Sequence, residues 1–160
     1  MIRKYKWSFI FFLSLIVFLF SFYNINQVNH VNDQTDMIIN EQTQILQSIK
    51  VELNESTTPI FHSYGKIKEV EGMGRILTSS NNKIYRNYGK EFLKMIRALE
   101  ETFNTFTDNN FTTKKDREFL SDHISLVLEN INKDSIGIAD KVYARIMSET
   151  TEYYENYQEN

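Results

Sequence analysis

The sequence predicts an all-α protein: an N-terminal transmembrane helix followed by an extracytoplasmic, up-down antiparallel bundle of four to five helices. Two observations lead there. Residues 7–23 read WSFIFFLSLIVFLFSFY, with no charged side chain, directly after Arg3, Lys4 and Lys6. Beyond that run apolar residues recur at steps of three and four, between short polar clusters, and no segment alternates as a strand would.

The apolar run divides the chain into residues 1–6 as a cytoplasmic stub, 7–23 as the anchor, 24–36 as a polar juxtamembrane stalk or helix extension, and 37–160 as the bundle. Seventeen helical residues rise roughly 25 Å, and their flanks supply the rest of a hydrocarbon core roughly 30 Å thick. A cleaved signal peptide is the competing reading, but the exit Leu19-Phe20-Ser21-Phe22-Tyr23 lacks the small-x-small pattern that cleavage needs. Lys and Arg next to a span stay on the cytoplasmic side, and the first basic residue after the run is Lys50. The expected topology is therefore single-pass in a cell membrane, amino end inside and carboxyl end outside. Trp7 and Tyr23 mark the two interfacial zones.

After the anchor, Val28, Val31, Thr35, Ile38, Gln42, Ile45 and Ile49 form a heptad seam that carries the first helix to about Ser56. Residues 24–36 are crowded with Asn, Gln and Asp, so that part reads equally as stalk. A second helix begins at Pro59, which tolerates a first helical turn, and presents Ile60, Tyr64, Ile67, Val70, Met73 and Leu77. Gly65, Gly72 and Gly74 interrupt it, each costing about 1 kcal/mol against Ala, and a kink or early end is expected near Gly72; close approach of another backbone is the alternative.

The turn Thr78–Asn82 leads into the longest stripe, Ile84, Tyr88, Phe92, Met95 or Ile96, Leu99, Phe103 and Phe106, which makes the third helix central. Thr113 with Asp116 resembles a capping box and opens a fourth helix on Leu120, Ile124, Val127, Leu128 and Ile131. A fifth, capped by Asp134 or Ser135, runs on Ile138, Val142, Ile146, Met147 and Tyr153.

Composition narrows function without naming it. Three of the 18 Lys and Arg and none of the 21 Asp and Glu precede Trp7, so the remainder carries a net charge of −6. That argues against nucleic acid, whose readers show a basic face. Abundant Ile, Asn and Lys with only three Ala suggest an AT-rich bacterial genome. There is no cysteine, so no disulfide braces the exported part and its core must hold alone.

His30, His62 and His123 fall in no metal-ligand spacing, and Glu118, Asp122 and His123 read as part of a solvated acidic face. No G-x-S-x-G, S-x-x-K or phosphate loop is present, and Glu69/Glu71 and Glu100/Glu101 diverge around their helices. No enzyme activity, cofactor or metal is expected.

The candidate surfaces are two. Val28, Val31, Ile38, Ile45 and Ile49 could pair with a partner chain or a second copy, although Ile45 and Ile49 could instead fill their own bundle. Tyr153, Tyr154 and Tyr157 crowd the last helix, where at most two can be buried, and Tyr is an interface-favoured residue. The expected partners are lipid at the anchor and a membrane or envelope protein at the bundle, or a homodimer. The alternative is a ligand-sensing ectodomain signalling through a partner, architecturally similar to the helical ectodomains of chemoreceptors and sensor kinases; immunity to an envelope-acting toxin is a narrower variant of the first reading.

Overall fold

The computed structural model describes residues 2–55, 59–131 and 137–158, with residues 2–10, 31 and 158 described by their backbone alone. These residues form five helices and no strand: α1 (Ile2–Asn54), α2 (Ile60–Thr78), α3 (Lys83–Asp108), α4 (Lys114–Asn130) and α5 (Ala139–Gln158). The chain divides into two compact units, Met1–Ile38 and Ile39–Asn160.

In the first unit α1 is helical through the apolar run and through the Asn- and Gln-rich stretch that follows, so residues 24–36 are helix rather than irregular stalk. Its apolar run is long and apolar enough to cross a membrane, with a mean hydropathy of 1.6 over its 18-residue window.

The second unit is a helical bundle built around α3. Contacts between α2 and α3 run in opposite chain order: Lys68 meets Glu100, Gly74 lies against Phe92 and Leu93, and Leu77–Thr78 lies against Gly89. The distal part of α1 meets α2 in the same antiparallel sense, with His62 and Lys66 at Glu52 and Lys66 also at Ser48. Across α3 and α5 the order is instead parallel, from Lys94–Asp140 through Glu101–Tyr143 to Thr102–Thr150. The connections between neighbouring helices are short in sequence, so each helix can bury its stripe only by folding back.

α3 contributes more side chains to the core than any other helix. Phe92, Ile96, Leu99, Phe103 and Phe106 are fully buried, with Leu46, Ile49 and Leu53 of α1, Ile67 and Val70 of α2, Leu120, Ile124 and Val127 of α4 and Ile146 of α5. Each such side chain contributes about 1.5–3 kcal/mol over its exposed state. Thr102 and Thr150, both buried, share a hydrogen bond at 2.9 Å, and the Tyr88 hydroxyl points to Gln42 Oε1 at 3.5 Å.

Several sequence expectations shift. The buried row of α1 in this unit is Ile39, Gln42, Leu46, Ile49 and Leu53, whereas Ile45 is half-buried beside it; Ile38, which ends the first unit, is also half-buried. Both rows step by three and four and share Gln42 and Ile49. The row through Ile39 and Leu46 continues to Leu53, whereas that through Ile38 and Ile45 runs into Glu52, which is why the former faces inward.

α2 does not break at Gly72. It is continuous, and Gly74 is the glycine with a packing role: a Cβ there would lie 2.9 Å from Leu93 Cδ2. Pro59 is the N-cap, in extended conformation, and not a first-turn residue. Ile84 is exposed in the first turn of α3 and Tyr85 takes the buried position. Leu128, Ile131, Ile138 and Met147 are only half-buried. The caps proposed at Asp134 or Ser135, and the turn at Ser56–Thr58, lie outside the described residues.

Candidate functional site

At one end of the bundle the last turns of α3 and α5 meet the first turns of α4, and aromatic side chains from all three collect there. The local cause is the way α3 stops. Asn110 adopts a left-handed conformation with φ 54°. Its N–H donates to Thr107 O at 3.2 Å and Phe111 N–H to Phe106 O at 2.9 Å. This pair of bonds is a Schellman closure, and it carries the apolar contact that accompanies one, Phe111 edge-on to Phe106 with ring centroids 5.1 Å apart. The chain is thereby turned so that Phe111 re-enters the bundle at 3% exposure.

Two residues later Thr113 caps α4. Its hydroxyl accepts from Asp116 N–H at 3.2 Å while its own N–H donates to Asp116 Oδ2 at 2.6 Å, a reciprocal capping box with Asp in the place of Glu. Asp116 is fully buried, and its second oxygen accepts from the Tyr153 hydroxyl of α5 at 2.8 Å. Desolvation, reinforced by the Asp116 carboxylate, holds the Tyr153 phenol protonated well above the usual tyrosine range. A phenol so held is a structural donor and neither a base nor a nucleophile.

Around this bond the rings pack closely. Tyr153 lies 4.4 Å from Phe119 and 5.4 Å from Phe106, and Tyr157 covers Phe111 at 4.0 Å. Tyr154 flanks Phe111 at 6.2 Å. Lys115 Nζ stands over the Tyr153 ring at 5.5 Å, within cation–π reach. Thr113, Lys115, Tyr153, Asn156 and Tyr157 line an open cleft of about 530 Å³.

Of the residues singled out from sequence, the structure thus brings Tyr153, Tyr154 and Tyr157 together: the first two half-buried, the third 46% exposed. Of the heptad candidates, Val28 is exposed in the first unit, Ile38 and Ile45 are half-buried, and Ile49 is fully buried in the core of the second. The Val31 side chain lies outside the described residues.

His123 corrects its expectation. Glu118 and Asp122 are indeed exposed, but His123 is buried, because its position on α4 is one turn beyond Phe119 and shares that residue's inward face. His62 is mainly exposed and pairs with Glu52 at 3.4 Å. No group of three or more His, Cys, Asp or Glu among the described residues could hold a metal ion.

The Thr113-to-Asp116 spacing marks the capping box but carries no sign of its second bond, to Tyr153. Asp116 is the hinge between cap and cluster, and the signal for Phe111 was present as an aromatic residue just after the Asn109-Asn110 turn. No family model matches this chain, and neither do curated proteins or solved structures compared with it.

Proposed function

We propose that this protein is a single-pass, membrane-anchored module whose bundle lies outside the cytoplasm and holds or regulates another membrane or envelope protein. The observation that carries the reading is the contrast between the two units. Every side chain from Phe11 to His30 is exposed, including Phe11, Phe18 and Phe20, whereas the second unit buries its own stripes around α3. An uncharged apolar run left uncovered by protein is the feature that lipid stabilises. Arg3, Lys4 and Lys6 before the run, and no Lys or Arg after it until Lys50, support an inside amino end.

The aromatic end of the bundle is the contact surface this reading favours. Its rings are held by Asp116 and Phe111 with little freedom left to lose on binding, and Tyr157 presents an apolar face with a polar tip. The Tyr153 hydroxyl is committed to Asp116, which supports recognition over chemistry.

A photo-crosslinking residue placed at Tyr157 in intact cells is expected to capture a membrane or envelope polypeptide, a second copy included. One placed at exposed Glu129 serves as control. Equal capture from both positions, or none from Tyr157, would overturn the reading. The 530 Å³ cleft favours the alternative of a ligand-sensing ectodomain that signals through a partner; a small molecule, rather than a polypeptide, attached at Tyr157 would select it.

A further inference from the structure

Between Glu71 and Glu91 the sequence holds Arg75, Lys83, Arg86 and Lys90 and no Asp or Glu, within a chain whose net charge is −3. The structure gathers this stretch at one end of the second unit. α2 closes with Ser79 N–H on Ile76 O and Ser80 N–H on Leu77 O, both at 3.1 Å, and Asn82 Oδ1 opens α3 by accepting from Ile84 N–H at 3.0 Å. Lys83, Arg86 and Lys90 then fall at i, i+3 and i+7, on one face of α3. Lys83 and Lys90 are exposed, and neither is ion-paired with a described carboxylate. Arg86, half-buried, reaches the Ser80 carbonyl at 3.4 Å, and Arg75 is held by Glu71 at 2.7 Å.

Two isoleucines flank the same turn with their side chains in water, Ile76 at 60% exposure and Ile84 at 57%. Neither serves the core, which takes Leu77 and Tyr85 beside them. Cations interleaved with exposed aliphatic side chains are what an anionic lipid surface stabilises. Ammonium and guanidinium groups meet the phosphates while the apolar side chains enter the boundary between headgroups and acyl chains.

This end of the second unit also receives α1. Ile39 opens the unit, and Gln42, one turn on, places Oε1 3.5 Å from the Tyr88 hydroxyl of α3. Residues 24–38, which lead back to the apolar run, rise roughly 22 Å as a helix, so an anchored run tethers this end near lipid and makes its weak contacts intramolecular.

We propose that the turn between α2 and α3 docks on anionic phospholipid headgroups, through Lys83, Arg86 and Lys90 with Ile76 and Ile84. α3 thereby carries a lipid contact in its first turns and the aromatic cluster in its last, so docking turns the aromatic end away from the membrane and toward a partner. The inference rests on the anchored reading above but not on which side of the membrane the bundle occupies.

The chain has no cysteine, so Ile84→Cys admits a single fluorophore. Phe61→Cys, at a position 71% exposed in the first turn of α2 and so at the other end of that helix, admits the control. Full-length chains are reconstituted in lipid nanodiscs of phosphatidylcholine, alone or with about one third phosphatidylglycerol, each carrying a headgroup nitroxide as quencher. The label at 84 is expected to be quenched about twofold or more strongly in the anionic discs, and that difference to vanish in ~0.5 M salt or with Lys83→Glu and Lys90→Glu together. The label at 61 is expected to show neither effect. Equal quenching at 84 in the two discs, or an equal response at 61, would overturn the docking. Capture of an acidic polypeptide from position 84 in cells, with no quenching in discs, would give the face to a protein instead. A chain that enters neither disc would overturn the anchored reading and the docking with it.

Discussion

The Tyr153 hydroxyl donates to Asp116 Oδ1 at 2.8 Å, tying the last turns of α5 to a buried carboxylate whose other oxygen closes the N-cap of α4. One side chain thus satisfies two helices, and removing either partner strands a buried polar group. Tyr153→Phe is expected to destabilise the bundle by about 1–3 kcal/mol, because the carboxylate keeps its desolvation without its donor. Denaturant melts of wild type and variant check it. A cost within error of zero would mean that water replaces the phenol.

The same bond sets an alkaline limit. The Tyr153 and Tyr88 phenols are both held above the usual tyrosine range, chiefly by burial, so their protonated forms favour the folded state. Stability is therefore full below about pH 10, where an unfolded tyrosine ionises, and falls as pH rises further. A double Tyr88→Phe, Tyr153→Phe variant should show a flatter decline above about pH 10 in thermal melts. An unchanged slope would place the loss on other groups.

Two glycines should respond oppositely to Ala. Gly89 sits where a Cβ would lie 2.8 Å from Thr78 N, against a backbone that cannot step aside, whereas nothing lies within 4 Å of a Cβ at Gly72. Gly89→Ala is expected to cost about 1–3 kcal/mol through overpacking. Gly72→Ala is expected to stabilise by up to about 1 kcal/mol through helix propensity. Equal effects would mean that α2 and α3 are not as closely apposed as described.

These glycines show where sequence was legible. The stripe from Tyr88 to Phe106 is long and period-true, so the helix and its buried face both follow from the pattern. Gly89 lies within that stripe, and only the approach of Leu77–Thr78 from another helix reveals its purpose. In α1 two apolar rows overlap, and periodicity could not choose between Ile38–Ile45 and Ile39–Leu46; packing against α2 and α3 did. His123 and Asp116 escaped because burial of a polar residue depends on what the neighbouring helix brings. The three tyrosines were legible as an unusual crowd, but their assembly around Phe111 depends on the Asn110 turn.

Leu99 and Leu46 test the core. Both are fully buried, so Leu99→Ala should cost about 2–5 kcal/mol and Leu46→Ala a similar amount. Ile84→Ala, at an exposed first-turn position, should change stability by less than about 0.5 kcal/mol. Chemical denaturation of the three variants checks the rotation assigned to α1 and α3, and a costly Ile84→Ala with a silent Leu46→Ala would reverse it.

The proposed topology, with residues 7–23 anchoring a bundle outside the cytoplasm, is measured by a pair of reporters fused after Asn160. A reporter active only outside the cytoplasm is expected to work at that junction, with the fusion recovered in the membrane fraction and Met1–Tyr23 retained by mass. A silent external reporter together with an active cytoplasmic one at the same junction would place the bundle inside and overturn that topology.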